Sequence, residues 1–225
     1  MNAGERIILS GELIESIGMQ VEDMASSLIA ITETTLENGD FGNLRSAGRS
    51  RISYETSASG WNHTSYGISF PVMEKKRRKS IPRAWINYQI SIFGGGIPTD
   101  QKGLKCIGPV VHISFWHEPT DFDDPGLYVE FPPAWDDCGI KDERLLVWDG
   151  GKLEEFPQWT FSIRLLDLHN EDALRKSIIE PMQALLANIE VAIALPADLP
   201  GLVFYTSEDQ RNPGWNLIAR EHKSP

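Results

Sequence analysis

Residues 110–124, VVHISFWHEPTDFDD, set two histidines, a glutamate and three aspartates at the end of a run of strand-forming residues. Imidazoles and carboxylates at that density can make a metal site or an acid/base pair. Spacing decides against both. His112 and His117 are five apart, so on one continuous strand they point to opposite faces and cannot share an ion. HEPTD is a loose match to the zinc-binding HExxH helix, and Pro119 stands where that helix needs its interior. A calcium loop fails because Pro125 and Pro132 take positions that need oxygen ligands. The reading is a strand ending at Trp116 followed by an acidic loop, with no metal and no cofactor.

A second pattern uses the same strand. His112-Ile113-Ser114-Phe115 reads His, any residue, Ser or Thr, apolar, and so does His63-Thr64-Ser65-Tyr66. The pair resembles the motifs of the two-histidine phosphoesterases, which hydrolyse cyclic or linear phosphodiesters. That resemblance implies His63 and His112 as general base and acid, with Ser65 and Ser114 donating to the phosphate. The family sets its motifs in two similar lobes with helices between, whereas here MEKKRRKSIPR and one strand join them.

The elements that must carry these residues follow from hydrophobic period. Leu13, Ile17, Val21, Met24, Leu28 and Ile31 repeat at threes and fours, which predicts a helix over 11–37, capped by Ser10 and stopped at Asn38-Gly39. A short strand is expected around 51–56. The period then becomes two, and 63–72, 84–93, 110–116, 127–131, 144–148 and 159–166 read as strands between Gly- and Pro-containing turns. Connections this short leave no room for crossover helices, so the sheet is predicted antiparallel. Asn170 caps a second helix reaching about Ile189, which Pro181 must kink or split. Strands at 201–206 and 216–219 return to the sheet. The expected fold is one α+β domain over 1–225, in two layers: a largely antiparallel sheet of about six to eight strands with both helices on one face.

Composition bounds the function. With 225 residues, 41% hydrophobic, there is ample core, and no apolar stretch is long enough to span a membrane. The N-terminus lacks a signal-peptide pattern, and Cys106 and Cys138 have unrelated surroundings, so a reduced, cytoplasmic protein is expected. Net charge is −11 but segregated. Residues 41–83 carry nine Lys and Arg against two acids, five of the nine in Lys75–Lys79. Residues 118–155 carry twelve acids against three bases. In an acidic chain whose basic run has only Trp85 and Tyr88 nearby, on a strand expected to face the core, nucleic acid is disfavoured, so Lys75–Lys79 reads as a solvated turn.

The acidic block is the stronger lead. Glu118, Asp121, Asp123, Asp124, Asp136, Asp137, Asp142 and Glu143, with Trp135 in a proline-stiffened loop, could form a surface for a basic protein. Trp148 and Trp159 are assigned to the core. In general character such a chain is similar to the immunity proteins with which bacteria neutralise toxins, although no motif carries the likeness. A non-enzymatic inhibitor of a nuclease-type toxin is the expectation; the phosphodiesterase is the alternative.

Overall fold

The structure is a computed structural model of the chain and describes residues 2–56, 63–76, 81–92, 107–122, 138–148, 158–207 and 217–220. It is a mixed α+β fold. Helix α1 spans Ala3–Asn38, beginning eight residues before the segment that hydrophobic period marked out. Its cap is Asn2, not Ser10: the Asn2 side chain accepts from the Glu5 N–H at 2.9 Å, while the Glu5 carboxylate accepts from the Asn2 N–H at 2.8 Å. The helix stops at Gly39, whose φ of 78° is left-handed. Lys75 then donates to the carbonyls of Gly39 (3.2 Å) and Gly42 (2.7 Å), placing a cation at the negative helix end. One member of the basic run is therefore a helix cap. Arg77, Arg78 and Lys79 lie outside the described residues.

Strands β1 (Leu44–Ser46), β2 (Arg51–Thr56), β3 (His63–Glu74), β4 (Ala84–Ser91), β5 (Val110–Trp116), β6 (Cys138–Lys141), β7 (Leu145–Trp148) and β8 (Gln158–Arg164) form one sheet. Their order is β1-β3-β4-β5-β8-β7-β6, with β2 also paired to β3, and every pairing is antiparallel. The expected strand at 127–131 lies outside the described residues.

One face is apolar. Ile68, Phe70, Ile86, Tyr88, Ile113 and Phe161 meet Leu28 and Ile31 of α1 and Ile178 and Met182 of the C-terminal helices. Each such side chain stabilises by roughly 1.5–3 kcal/mol on burial. The C-terminal helix begins as expected at Asn170, whose side chain accepts from the Ala173 N–H at 2.8 Å. It runs through α2 (Glu171–Leu174), a wide π turn (Arg175–Ile179) and α3 (Glu180–Leu186). Pro181 lacks an N–H and would press on the carbonyl four residues back; the widened turn just before it lets the helix continue. A short α4 (Val191–Ala194) follows.

The final strands meet the expectation in part. Leu202 bridges Ile163 of β8 in antiparallel fashion, with the Gly201 carbonyl accepting from the Arg164 N–H at 2.8 Å and the Val203 N–H donating to the Ser162 carbonyl at 2.9 Å, whereas β9 (Phe204–Ser207) and β10 (Leu217–Arg220) pair with each other. Tyr205, Leu217 and Ala219, with Val203, pack on Val110, Trp116, Leu146 and Trp148. A small third layer thus covers part of the face the helices leave open.

The β6–β7 turn holds Asp142 and Glu143 at φ 49° and 59°, a hairpin geometry that favours Asn-Gly. A left-handed backbone costs a residue with a Cβ about 1–2 kcal/mol. Against this, Glu143 gains one exposed contact with Arg220 at 3.3 Å, and exposed pairs contribute about 0–1 kcal/mol. Glu143→Gly should therefore raise the urea midpoint, with a gain of about 1 kcal/mol. A lowered midpoint would show that the Arg220 contact outweighs the strain.

Candidate functional site

The sheet face opposite the helices is polar and yet buried. Ser65, Ser69, Asn87, Gln89, Ser91, His112, Thr160 and Ser162 are all inside. Registers align them into rungs across the strands: Ser69, Asn87, Ser114 and Thr160 in one, and Gly67, Gln89, His112 and Ser162 in the next. Buried polar groups must find partners, so what they bond to is informative.

Ser69 and Asn87 of the first rung, with Ser53 of β2, bond to a loop. Beyond β5 the chain turns back over the sheet, and three side chains from three strands take up its backbone. Asn87 donates to the Glu118 carbonyl at 3.0 Å and accepts from the Thr120 N–H at 3.3 Å. Ser69 donates to the Thr120 carbonyl at 3.3 Å, and its hydroxyl oxygen accepts from the Thr120 N–H at 2.9 Å. Ser53 donates to the same carbonyl at 3.2 Å and accepts from the Phe122 N–H at 3.3 Å. Gly67 completes the seat: a Cβ there would stand 2.9 Å from the Ser53 hydroxyl, 3.0 Å from the Phe122 ring and 3.1 Å from the Thr120 methyl. His117 braces the loop entrance, with Nδ1 on Gln158 Oε1 at 2.5 Å and Nε2 3.6 Å from Glu118 Oε1. Glu118 and Asp121, both half-exposed, are thereby presented from a rigid seat.

The second rung closes on the hairpin layer. Tyr205 donates to Ser162 Oγ at 2.7 Å, and Ser162 lies 2.7 Å from His112 Nδ1. Desolvation pushes the His112 imidazole down to about 3, so it is neutral here. Burial likewise raises the Cys138 thiol to about 12, which removes it as a nucleophile. Cys106 lies outside the described residues.

The phosphodiesterase geometry does not form. His112 projects from the polar face at the level of Gly67, two strands away, while His63 lies four residues further along β3. Strand spacing and rise put the two backbones roughly 16 Å apart. His63 is exposed, sits 4.8 Å from the Tyr54 ring, and lines a cavity on the helix side of the sheet. Ser65 donates to Glu55 at 3.0 Å, and Ser114 accepts from Thr160 at 2.9 Å, so neither points to a shared anion. Two imidazoles serving one phosphate must each reach it within about 3 Å.

The described acids of the 118–155 block fall in two places. Glu118 and Asp121 lie at the Trp116 end of β5, beside Gln158. Asp142 and Glu143 lie on the β6–β7 turn, where the Glu143 carbonyl accepts from the Tyr205 N–H, at the Ser162 end of β8. About 15 Å of strand separates them. Asp123, Asp124, Trp135, Asp136 and Asp137 lie outside the described residues. Trp148 and Trp159 are buried, as assigned, and so is Trp116, which donates to Thr160 at 3.0 Å.

Sequence reasoning missed Ser53, Gly67, Ser69 and Asn87. The signal for the last three was present as the alternate residues of Ser65-Tyr-Gly-Ile-Ser69 and Asn87-Tyr-Gln-Ile-Ser91. Among the described residues no group of three or more His, Cys, Asp or Glu could hold a metal, and no helix is long and apolar enough to cross a membrane. No family model, curated protein or solved structure matches the chain.

Proposed function

We propose that the chain is a cytoplasmic, non-enzymatic binding protein that neutralises a basic partner, in the manner of immunity proteins that block nuclease-type toxins. The observation that supports this is the seat of the Glu118–Phe122 loop. Three buried side chains are committed to fixing one short acidic segment, and a loop ordered before it meets its partner avoids the entropy of ordering on binding. Carboxylates on such a loop steer a cationic surface and set its register. The left-handed Asp142 and Glu143 form a second acidic point, where backbone strain is kept although glycine would relieve it.

Capture at low ionic strength from the native host should yield a basic protein. Its association rate with the chain should fall by roughly tenfold or more as salt rises from about 20 to 200 mM. Glu118→Lys combined with Asp121→Lys should slow association and leave the melting temperature unchanged. A partner indifferent both to salt and to this double reversal contradicts the reading.

A further inference from the structure

Helix α1 is far longer than the body it packs on. Thirty-six residues span about 54 Å, yet burial on the sheet begins only at Val21. Residues 3–20 overhang with Ile7 73%, Leu13 61%, Ile14 51% and Ile17 40% exposed. An unpacked helix of this length is marginal in water, because helices in proteins are held chiefly by an apolar face against something else. Beneath the overhang lies a cavity of about 470 Å³ lined by Ile14, Ile17, Val21, Tyr66, Ile90 and Ile92.

Two glycines on this helix are informative. Gly11 and Gly18 each cost a helix interior about 1 kcal/mol, and a Cβ at either would meet nothing within 4 Å. Nothing among the described residues requires them. Ile7, Gly11, Ile14 and Gly18 are spaced by four, three and four, so they share one helical face, large and small in alternation. Laid antiparallel on a copy of itself about a two-fold axis between residues 12 and 13, that face is self-complementary. Ile7 stands opposite the partner's Gly18, and Ile14 opposite the partner's Gly11.

We propose that the protein forms a symmetric homodimer through this antiparallel pairing of the α1 overhangs, the first turn of each helix entering the other protomer's cavity. The same register brings the exposed carboxylate of Glu22, on the cavity wall, to the positive N-terminal end of the partner's helix. Two overhangs of about 27 Å, together with the filled cavities, bury area on the order of the roughly 800 Å² per partner that a stable interface needs.

Sedimentation of the full chain at about 100 µM should give twice the 25.2 kDa of the monomer. Ile14→Lys, at an exposed position, should weaken dimerisation at least tenfold and keep the circular dichroism spectrum. In a Cys106→Ser background, Ile7→Cys with Gly18→Cys should cross-link between protomers on oxidation, and Ile7→Cys alone should not. A monomer at this concentration overturns the proposal, as does a dimer that tolerates Ile14→Lys or one that Ile7→Cys alone cross-links. A monomer that takes up one equivalent of a fluorescent aliphatic probe would assign the cavity to a small apolar ligand and overturn it equally.

Discussion

Acidification from pH 7 to pH 5 should remove about 2 kcal/mol of stability through His112 alone, and His112→Asn should abolish that share. Unfolded, the imidazole has its ordinary pKa of 6.5; folded, burial lowers it to about 3. Below pH 6.5 the unfolded chain therefore binds a proton that the folded chain refuses. The stabilisation is complete above the unfolded pKa and is lost progressively between pH 6.5 and 3. Among the described residues, Gln89 flanks His112 on β4, Ser162 lies beside it on β8, and Tyr205 closes the chain of hydroxyls from β9. Tyr205 is itself raised by burial and stays protonated. The variant should be less stable at pH 7 by about 1–3 kcal/mol, since a buried partner of Ser162 is lost. The decisive quantity is the slope of unfolding free energy against pH. An equal slope in both proteins over pH 7 to 5 would show that His112 accepts a proton without unfolding.

The His112 environment also shows what the sequence could convey. Alternation placed β5 at Val110–Trp116 as found, because Val111, Ile113 and Phe115 on the helix side alternate with His112 and Ser114 on the polar side. The cap at Asn170 was legible for an equally local reason. The beginning of α1 was not: residues 3–10 face no sheet, and Gly4 and Gly11 weaken the helical signal. Nor were β1 and β6, at three and four residues too short to show a period. The hardest feature was the polar face. A period of two with Ser, Asn and Gln on one side reads as a solvated surface, and nothing local distinguishes water from a returning loop as the partner of those groups. The same limit applies to the acids. Composition gathered them into one block, whereas antiparallel strands carried Glu118 and Asp142 to opposite ends.

Gly67→Val should lower stability by about 1–3 kcal/mol and, more tellingly, release the acidic loop. A Cβ at this position already enters the space of the Ser53 hydroxyl, the Phe122 ring and the Thr120 methyl, and none of the three can withdraw independently. Ser53 is held by the bonds it makes to Thr120 and Phe122, while Thr120 is also tied to Ser69 and Asn87. A branched side chain at 67 must therefore lift the loop as a unit, exposing the carbonyl of Thr120 and two backbone N–H groups to water. The strand itself should be undisturbed, since valine suits β3 better than glycine does. Amide exchange separates these effects. Thr120 and Phe122 should lose protection by at least tenfold, while Ile68 and Ile86 keep theirs. Because the loop would then have to order on binding, affinity for a basic partner should fall even though no charge has changed. Retained protection at Thr120 would show that the sheet face can absorb the side chain, and the loop would then owe its position to something other than this seat.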